Sequence, residues 1–253
     1  MLVLPVFPPN SSPKGSQLLG RKPVLCYVTD RRSLLAPPQK DLLDPLLEKI
    51  ELLAAAGVDW IQLREKDLSG KQCARLTSEA LLRAGKPAGY AKGRTSILVN
   101  DRLDVALAEQ DGGGHLGENS LPIQEAKRLL EASLARKSLP RDFLAGVSCH
   151  SLEAAEAAAT AGADYIFFGP VFATPSKAAY GAPQGLERLA ELCSSLTVPV
   201  LAIGGITLEN APACFLAGAS GLAAIRLFQD CADPASIVRA IRQPGRELKT
   251  DLP

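Results

Sequence analysis

The feature that most constrains the fold is a repeated alternation of short apolar runs with longer stretches rich in Ala and Leu. A short apolar run bounded by turn residues predicts a buried strand, and apolar residues spaced three or four apart predict an amphipathic helix. Eight such units occupy about 220 residues, roughly 27 residues each. The predicted strands are 24–29, 58–64, 97–100, 113–116, 144–148, 165–169, 200–203 and 222–225.

This repeat predicts a parallel sheet, because strands that are apolar on both faces need helices to cover them. Eight units is the count of a single (β/α)₈ TIM barrel of the α/β class. An open, doubly wound sheet stays an alternative, since the fourth strand is weakly marked. The corners at Gly57, Gly162 and Gly218 each follow an Ala, and a glycine there can end a helix with a positive φ.

The barrel domain is predicted to span 23–243, between a flexible tail at 1–22 and a polar tail at 244–253. Prolines interrupt the apolar start, so it lacks the unbroken core of a secretory signal, and no later window is long enough for a membrane span. With 28 Lys and Arg against 27 Asp and Glu, the charge of +1 indicates neither nucleic acid nor membrane as a partner. We expect a soluble cytoplasmic protein, and a homo-oligomer is left open.

Six scattered cysteines show no metal-ligand spacing, so we expect reduced thiols and no zinc.

Polar side chains follow several of the predicted strands, and in barrel enzymes the chemistry lies at these carboxyl ends. After the second strand, period-two alternation places Gln62, Arg64 and Lys66 on one face. An amide, a guanidinium and an ammonium together suit a phosphate-bearing substrate. The alternative is a solvated strand end in which Arg64 and Lys66 pair with Glu65 and Asp67.

Three further strand ends carry candidate groups. Asp101, after Asn100, could bind Mg²⁺, which needs only one or two carboxylates beside substrate phosphates, or it could cap the next helix. Gly204–Gly205 and Arg226 could bind a phosphate, or form a tight turn and a surface arginine. The loop 169–177 has the composition of a phosphate-covering lid, or it is simply a mobile loop.

Eight stretches of the chain together resemble the thiamine phosphate synthases and their relatives, the thiazole tautomerases. They are CYVTD at 26–30, GVDWIQLREKDLS at 57–69, ILVNDRLDVAL at 97–107, HLG at 115–117, GVSCHS at 146–151, GADYIFFGPVFATPSK at 162–177, VPVLAIGGITLEN at 198–210 and AGASGLAAI at 217–225. The resemblance implies a TIM barrel that couples a pyrimidine diphosphate to a thiazole phosphate and releases pyrophosphate.

The resemblance also implies residue roles. Mg²⁺ would be bound by Asp101, and Arg64, Lys66 and Lys177 would act in catalysis by offsetting the charge of the departing diphosphate. The other pyrimidine-diphosphate contacts would come from Gln62, Leu63, Glu65, Asn100 and Ser148. The thiazole-phosphate contacts would come from Thr174, Pro175, Ser176, Gly205, Ile225 and Arg226.

Three positions depart from the synthase pattern. Ser120 stands where a second metal-binding Asp is usual, with Glu118 as a conceivable substitute; Ser176 replaces a Thr; and Arg226 replaces a small hydroxyl residue. The Ser120 change resembles the tautomerases, in which a His at the position of His150 moves a proton on the thiazole. Synthase activity is therefore the first hypothesis, with a tautomerase or a non-catalytic thiazole-phosphate binder as alternatives.

Overall fold

The computed structural model describes residues 22–34, 42–85, 95–110, 112–135, 140, 143–174 and 182–243. Eight parallel strands pair in chain order, and β1 pairs with β8 to close a barrel. The predicted (β/α)₈ fold is thus confirmed, including its weakly marked fourth strand. The strands are β1 Val24–Val28, β2 Trp60–Leu63, β3 Ser96–Asn100, β4 Gly113–Leu116, β5 Leu144–Cys149, β6 Tyr165–Phe168, β7 Val200–Ile203 and β8 Gly221–Ala224.

Helices connect the strands along the outside. They are α1 Leu43–Ala55, α2 Gly70–Arg83, α3 Leu103–Glu109, α4 Ile123–Ala135, α5 Leu152–Thr160, α6 Gly185–Ser195, α7 Ala211–Leu216, α8 Arg226–Gln229 and α9 Pro234–Arg242. Two short elements were not predicted: α8, directly after β8, and a 3-10 turn at Arg31–Ser33, directly after β1. Each is too short to produce a helical period in the sequence.

The strand residues alternate between two apolar layers. One layer fills the barrel and includes Cys26, Val28, Trp60, Leu98, Tyr165, Phe167, Leu201 and Ala223. The other lies between strands and helices and includes Leu25, Tyr27, Ile61 and Leu63. Because adjacent side chains on a strand point to opposite faces, Gln62 and Arg64 follow Trp60 inward, whereas Leu63 and Glu65 follow Ile61 outward. This alternation decides which strand-end residues face the barrel mouth.

Local sequence signals set the helix ends. Gly57, Gly162 and Gly218 all have a φ between 88° and 95°, which confirms the predicted positive-φ corners. Ser69 and Gln72 form a reciprocal capping box at the start of α2, which satisfies backbone N–H groups that have no partner within the helix.

The predicted tails lie outside the described residues, apart from Lys22, and their boundaries stay predictions. Among the helices of the described segments, none is long and apolar enough to cross a membrane. All six cysteines are free, in agreement with the expected reduced thiols.

Candidate active site

The end of β2 carries two cations whose charges are not neutralised locally. Within the described ranges, neither Arg64 nor Lys66 forms an ion pair with a carboxylate. Arg64 belongs to the inward-facing set, and its charge contributes to lowering the pKa of His115 inside the barrel. The buried Gln62 donates from Nε2 to Asn100 Oδ1 at 2.7 Å, which ties the ends of β2 and β3 together.

The two carboxylates beside these cations are occupied elsewhere. Arg31 pairs with Glu65 at 2.8 Å and with Asp67 at 2.5 Å, and Arg32 pairs with Asp67 at 2.8 Å. The Arg31 guanidinium holds the pKa of Asp67 well below its usual range. The alternative pairing of Arg64 and Lys66 with Glu65 and Asp67 is therefore not what the structure contains.

Asp101 stands at the end of β3 in a left-handed conformation with a φ of 61°. Its Oδ2 accepts from Asn100 Nδ2 at 2.7 Å. Its Oδ1 accepts from Ser120 Oγ and, at 3.2 Å, from the backbone N–H of Gly117. The N-cap residue of α3 is Arg102, whose side chain makes no capping hydrogen bond. Asp101 therefore does not cap that helix. The carboxylate is exposed and is oriented by the loop after β4.

Asp101 and Ser120 could serve as oxygen donors for Mg²⁺. The described residues contain no cluster of three or more His, Cys, Asp or Glu with metal-binding placement. One carboxylate and one hydroxyl nevertheless fit Mg²⁺, which keeps several waters and completes its shell with substrate phosphates. Glu118 is exposed on the same loop, so its role as a substitute stays a prediction.

Ser148, at the end of β5, is the outer member of a buried polar chain. His115 Nε2 lies 2.8 Å from Ser148 Oγ, and His115 Nδ1 lies 3.0 Å from the Tyr165 hydroxyl. Burial lowers the pKa of His115 to about 3, so the imidazole is neutral at physiological pH. Its two nitrogens must then play opposite roles, one donating and one accepting.

The surroundings of the Tyr165 hydroxyl determine which nitrogen of His115 donates. Tyr165 is fully buried, and no acceptor other than His115 Nδ1 approaches its hydroxyl within the described residues. Leaving that proton unpaired would cost about 1–3 kcal/mol, so we assign Tyr165 as donor to Nδ1. His115 Nε2 then donates to Ser148 Oγ, and the Ser148 proton remains available to an acceptor at the barrel mouth.

His150 follows Ser148 by two residues, after the end of β5. Its Nδ1 contacts the carbonyl oxygen of Gly169 at the end of β6. A carbonyl only accepts, so Nδ1 carries the proton. The side chain is half-buried and links the ends of two neighbouring strands.

A second group of candidates lies at β6, β7 and β8. Gly205 has a φ of 65°, and a Cβ there would lie 2.6 Å from the carbonyl oxygen of Ala173. Only glycine therefore lets the loop after β7 pack against the loop after β6. Ile225 is half-buried against the interior layer, and Arg226 is exposed as the first residue of α8.

The loop after β6 is described only in part. Thr174 is half-buried, whereas Pro175, Ser176 and Lys177 lie outside the described residues, so their assigned contacts stay predictions.

A cavity of about 250 Å³ opens between the loops after β2 and β3. Its lining combines polar strand-end groups with apolar side chains of the outer layer: Leu63, Glu65, Lys66, Leu68, Cys73, Asn100, Asp101 and Arg102. Leu63 is only 2% exposed, and Glu65 is turned toward Arg31. Of the predicted diphosphate contacts, these two therefore do not point their side chains into the barrel mouth.

Sequence reasoning missed the partners that hold the site from behind. Arg31 was not selected, although the stretch around it, TDRR, follows a strand and could have signalled charge partners for the later acidic residues. The sequence marks His115 as a strand-end histidine within HLG and Tyr165 as a strand residue, but it does not predict their contact, which spans 50 residues of sequence.

Comparison with known proteins decides the family. The profile of the thiamine monophosphate synthase family matches residues 32–228. The chain belongs to this family. A Geobacter sulfurreducens protein provisionally named a thiamine-phosphate synthase is 42% identical over 196 residues, covering 78% of this chain and 85% of that protein. The thiamine-phosphate synthase of Roseiflexus sp. strain RS-1 is 36% identical over 218 residues, covering 86% and 83%.

A solved structure agrees with this membership of the thiamine monophosphate synthase family. The thiamine phosphate pyrophosphorylase from Pyrococcus furiosus superposes with a TM-score of 0.70 at 29% identity, covering 87% of this chain and 94% of that one. Two of these proteins carry synthase names and the third is named a pyrophosphorylase, so the comparison gives the tautomerase alternative no support.

Proposed function

We propose that the protein is a thiamine phosphate synthase, which joins a pyrimidine diphosphate to a thiazole phosphate and releases pyrophosphate. The observation that carries this proposal is the pair of locally uncompensated cations, Arg64 and Lys66, beside Asn100, Asp101 and Ser148. A tautomerase has no diphosphate to neutralise, and a site of this charge would serve it poorly.

The diphosphate half of the site lies at the ends of β2, β3 and β5. Arg64 and Lys66 offset the negative charge that grows on the leaving group as the bond between the pyrimidine methylene carbon and oxygen breaks. Ser148 donates its free proton to a diphosphate oxygen, and Gln62 fixes the Asn100 amide. Lys177 would add a further cation from the loop after β6. Leu63 and Glu65 contribute by packing and by orienting the backbone.

The thiazole half lies at the ends of β6, β7 and β8. The turn at Gly205 brings backbone close to the phosphate, Arg226 contributes its charge, and Ile225 supplies an apolar surface beneath the ring. Thr174, Pro175 and Ser176 would complete this half. The thiazole nitrogen attacks the methylene carbon, and holding both substrates in line supplies much of the rate. No general base is needed, since the attacking nitrogen carries no proton.

We further propose Mg²⁺ as the cofactor, held by Asp101 with the Ser120 hydroxyl as a second oxygen donor. When bound, the ion neutralises charge on the diphosphate. In this chain, Asn100 and the Gly117 N–H orient the Asp101 carboxylate toward that task.

The test is an assay with both substrates and Mg²⁺ that measures thiamine phosphate and pyrophosphate separately. We expect equal amounts of both products, and we expect Arg64→Ala to lower the rate about a hundredfold or more without changing the melting temperature. Arg128→Ala is the matched control, because Arg128 is exposed on α4 and, among the described residues, pairs only with Glu125 of its own helix. Tautomer exchange or thiazole-phosphate binding without any coupling would contradict the proposal.

A further inference from the structure

Arg31 connects the turn after β1 to both carboxylates of the segment that follows β2. Its Nη1 donates to Glu65 Oε2 at 2.8 Å and to Asp67 Oδ1 at 2.7 Å, and its Nη2 donates to Asp67 Oδ2 at 2.5 Å. Its backbone N–H also donates to Glu65 Oε1 at 3.1 Å. The Arg31 side chain is only 13% exposed and that of Glu65 only 4%, so this ion pair is enclosed, whereas Asp67, at 34%, is partly solvated.

The Glu65 carboxylate is directed away from the barrel mouth by a further partner. Thr29, fully buried at the end of β1, donates from Oγ1 to Glu65 Oε1 at 2.7 Å. The same Oγ1 accepts from the backbone N–H of Arg64 at 2.9 Å. Thr29 and Arg31 therefore fix both the acidic side chain and the backbone from which Arg64 projects.

The charges of this segment would otherwise cancel. Arg64, Glu65, Lys66 and Asp67 follow one another with alternating sign, so two cations stand beside two carboxylates. Bidentate pairing with a carboxylate is the interaction that a guanidinium favours, and Arg31 uses it on Asp67. With Glu65 and Asp67 so occupied, the two cations keep their donors for another anion.

We propose that Arg31 is a positioning residue for diphosphate binding. By holding Glu65 and Asp67, it prevents them from pairing with Arg64 and Lys66 and so leaves both cations to the substrate. The inference rests on the proposed function for the identity of the anion as a diphosphate.

Arg32 provides a matched control in the same turn. Within the described part of the chain it makes a single side-chain contact, from Nη2 to Asp67 Oδ2 at 2.8 Å, and its side chain is 69% exposed. Arg32→Ala removes the same charge from the same segment but leaves Glu65 and Asp67 bound to Arg31.

The experiment is a calorimetric titration with inorganic pyrophosphate and Mg²⁺, which requires no turnover. We expect Arg31→Ala to weaken pyrophosphate binding roughly tenfold and Arg32→Ala to change it less than about twofold. Adding Asp67→Asn to Arg31→Ala should recover part of the loss, because one of the two released carboxylates is then neutral. A merely structural brace would not be restored by removing a second charge.

A second variant covers the case in which Arg31→Ala does not fold. Arg31→Lys retains the charge but lacks the fork that reaches both carboxylates, so we expect an intermediate affinity at an unchanged melting temperature. Normal affinity in both Arg31 variants, or no recovery with Asp67→Asn, would overturn the inference alone. If the unmodified protein binds no pyrophosphate, the diphosphate site itself is wrong and the proposed function fails with it.

Discussion

At the scale of single residues, the direction of the Ser148 hydroxyl proton is set by Tyr165 and His115, two side chains that do not reach the barrel mouth. Tyr165 donates to His115, and the neutral His115 donates to Ser148. In this series of hydrogen bonds, the Tyr165 hydroxyl is therefore a donor and the Ser148 hydroxyl an acceptor from His115. Breaking the first bond frees His115 to accept from Ser148 instead. The serine proton would then point inward, away from the substrate.

We therefore expect Tyr165→Phe to raise the KM for the pyrimidine diphosphate about fivefold, the value of one hydrogen bond, while the ring packing is kept. Nitrogen NMR gives a readout that packing alone would not change. In the unmodified protein, His115 should carry its proton on Nε2, and this preference should weaken in the variant. A proton on Nδ1 in the unmodified protein would contradict the assignment.

The single carboxylate at the proposed metal position leads to a second prediction. Asp101→Ala should remove Mg²⁺-dependent turnover and leave the fold intact, because this exposed strand-end side chain contributes little to the core. Conversely, Ser120→Asp adds a second carboxylate and should lower the Mg²⁺ concentration needed for half-maximal rate. The measurement is a Mg²⁺ titration of the coupling rate. A near-normal Mg²⁺-dependent rate in Asp101→Ala would rule out this ligand.

His150 separates the synthase from the tautomerase alternative. A proton shuttle typically contributes about 10²–10⁴ in rate, so a tautomerase would lose its activity in His150→Asn. A synthase depends on diphosphate departure, and we expect coupling to fall far less in this variant. The two rates can be measured side by side as thiamine phosphate formation and proton exchange on the thiazole carboxylate phosphate. If coupling fell as far as a lost proton shuttle requires, His150 would have to take part in the synthase reaction itself.

At this scale, the sequence predicts the face to which a side chain points better than it predicts the residue that the side chain contacts. Alternation along β2 correctly separates Gln62 and Arg64 from Glu65, because the period of a strand is a local property. The Arg31–Glu65 pair spans 34 residues and depends on how β1 and β2 register in the barrel. Such a contact has no local signal, so the sequence offered only the adjacent residues as partners for each charge.

At the scale of elements, the loops after β6 and β7 form one packed unit. Phe172 donates its backbone N–H to the carbonyl of Gly204 at 3.0 Å, and Asn210 Nδ2 donates to the carbonyl of Gly205 at 2.9 Å. The loop after β7 is therefore held from both sides, and the proposed thiazole half of the site depends on this packing.

A Cβ at Gly205 would displace the loop after β6, since backbone atoms of Phe172 and Ala173 lie within 3.0 Å of it. We expect Gly205→Ala to raise the KM for the thiazole phosphate by tenfold or more, and to change the KM for the pyrimidine diphosphate little. The positive φ adds roughly 1 kcal/mol of strain for any other residue. Steady-state kinetics with each substrate varied in turn would test this, and equal effects on both KM values would contradict it.

The elements themselves were predictable because each apolar run is bounded by its own turn residues. Strands β4 and β7 begin and end where the sequence predicts them. The short helix α8 was missed, yet it places Arg226 and also carries Gln229, which accepts from Tyr27 and donates to Ser33. Four residues cannot show a period, so only the tertiary structure defines this element.

At the scale of the whole molecule, burying a neutral imidazole makes stability depend on pH. The pKa of His115 is about 3 in the folded protein and near 6.5 when unfolded, so the unfolded state binds more protons between these values. The free energy of unfolding should therefore fall as the pH drops from 6.5 toward 3, by at most on the order of 5 kcal/mol. Above the pKa of the unfolded state, His115 is neutral in both states, and it no longer makes the free energy of unfolding depend on pH.

Denaturant unfolding at about pH 7 and about pH 4.5, on either side of the ordinary histidine pKa, measures the effect. His115→Gln should lose less stability between the two pH values than the unmodified protein, because it has no imidazole to protonate. Tyr165→Phe keeps His115 buried and serves as the control that retains the acid sensitivity. An identical pH dependence in all three proteins would show that His115 does not govern it.

Closure of the barrel also determines when the first strand of a growing polypeptide can complete its pairing. Val24 pairs with Gly221, so β1, which can already pair with β2, must wait for almost two hundred further residues before its second neighbour, β8, exists. Until then, both margins of the nascent sheet expose unpaired backbone groups, which invite association with other chains. The ring can therefore close only late in synthesis, and closure brings the turn that carries Arg31 beside the helix that carries Arg226. A partly synthesised chain can therefore contain strands without an assembled active site.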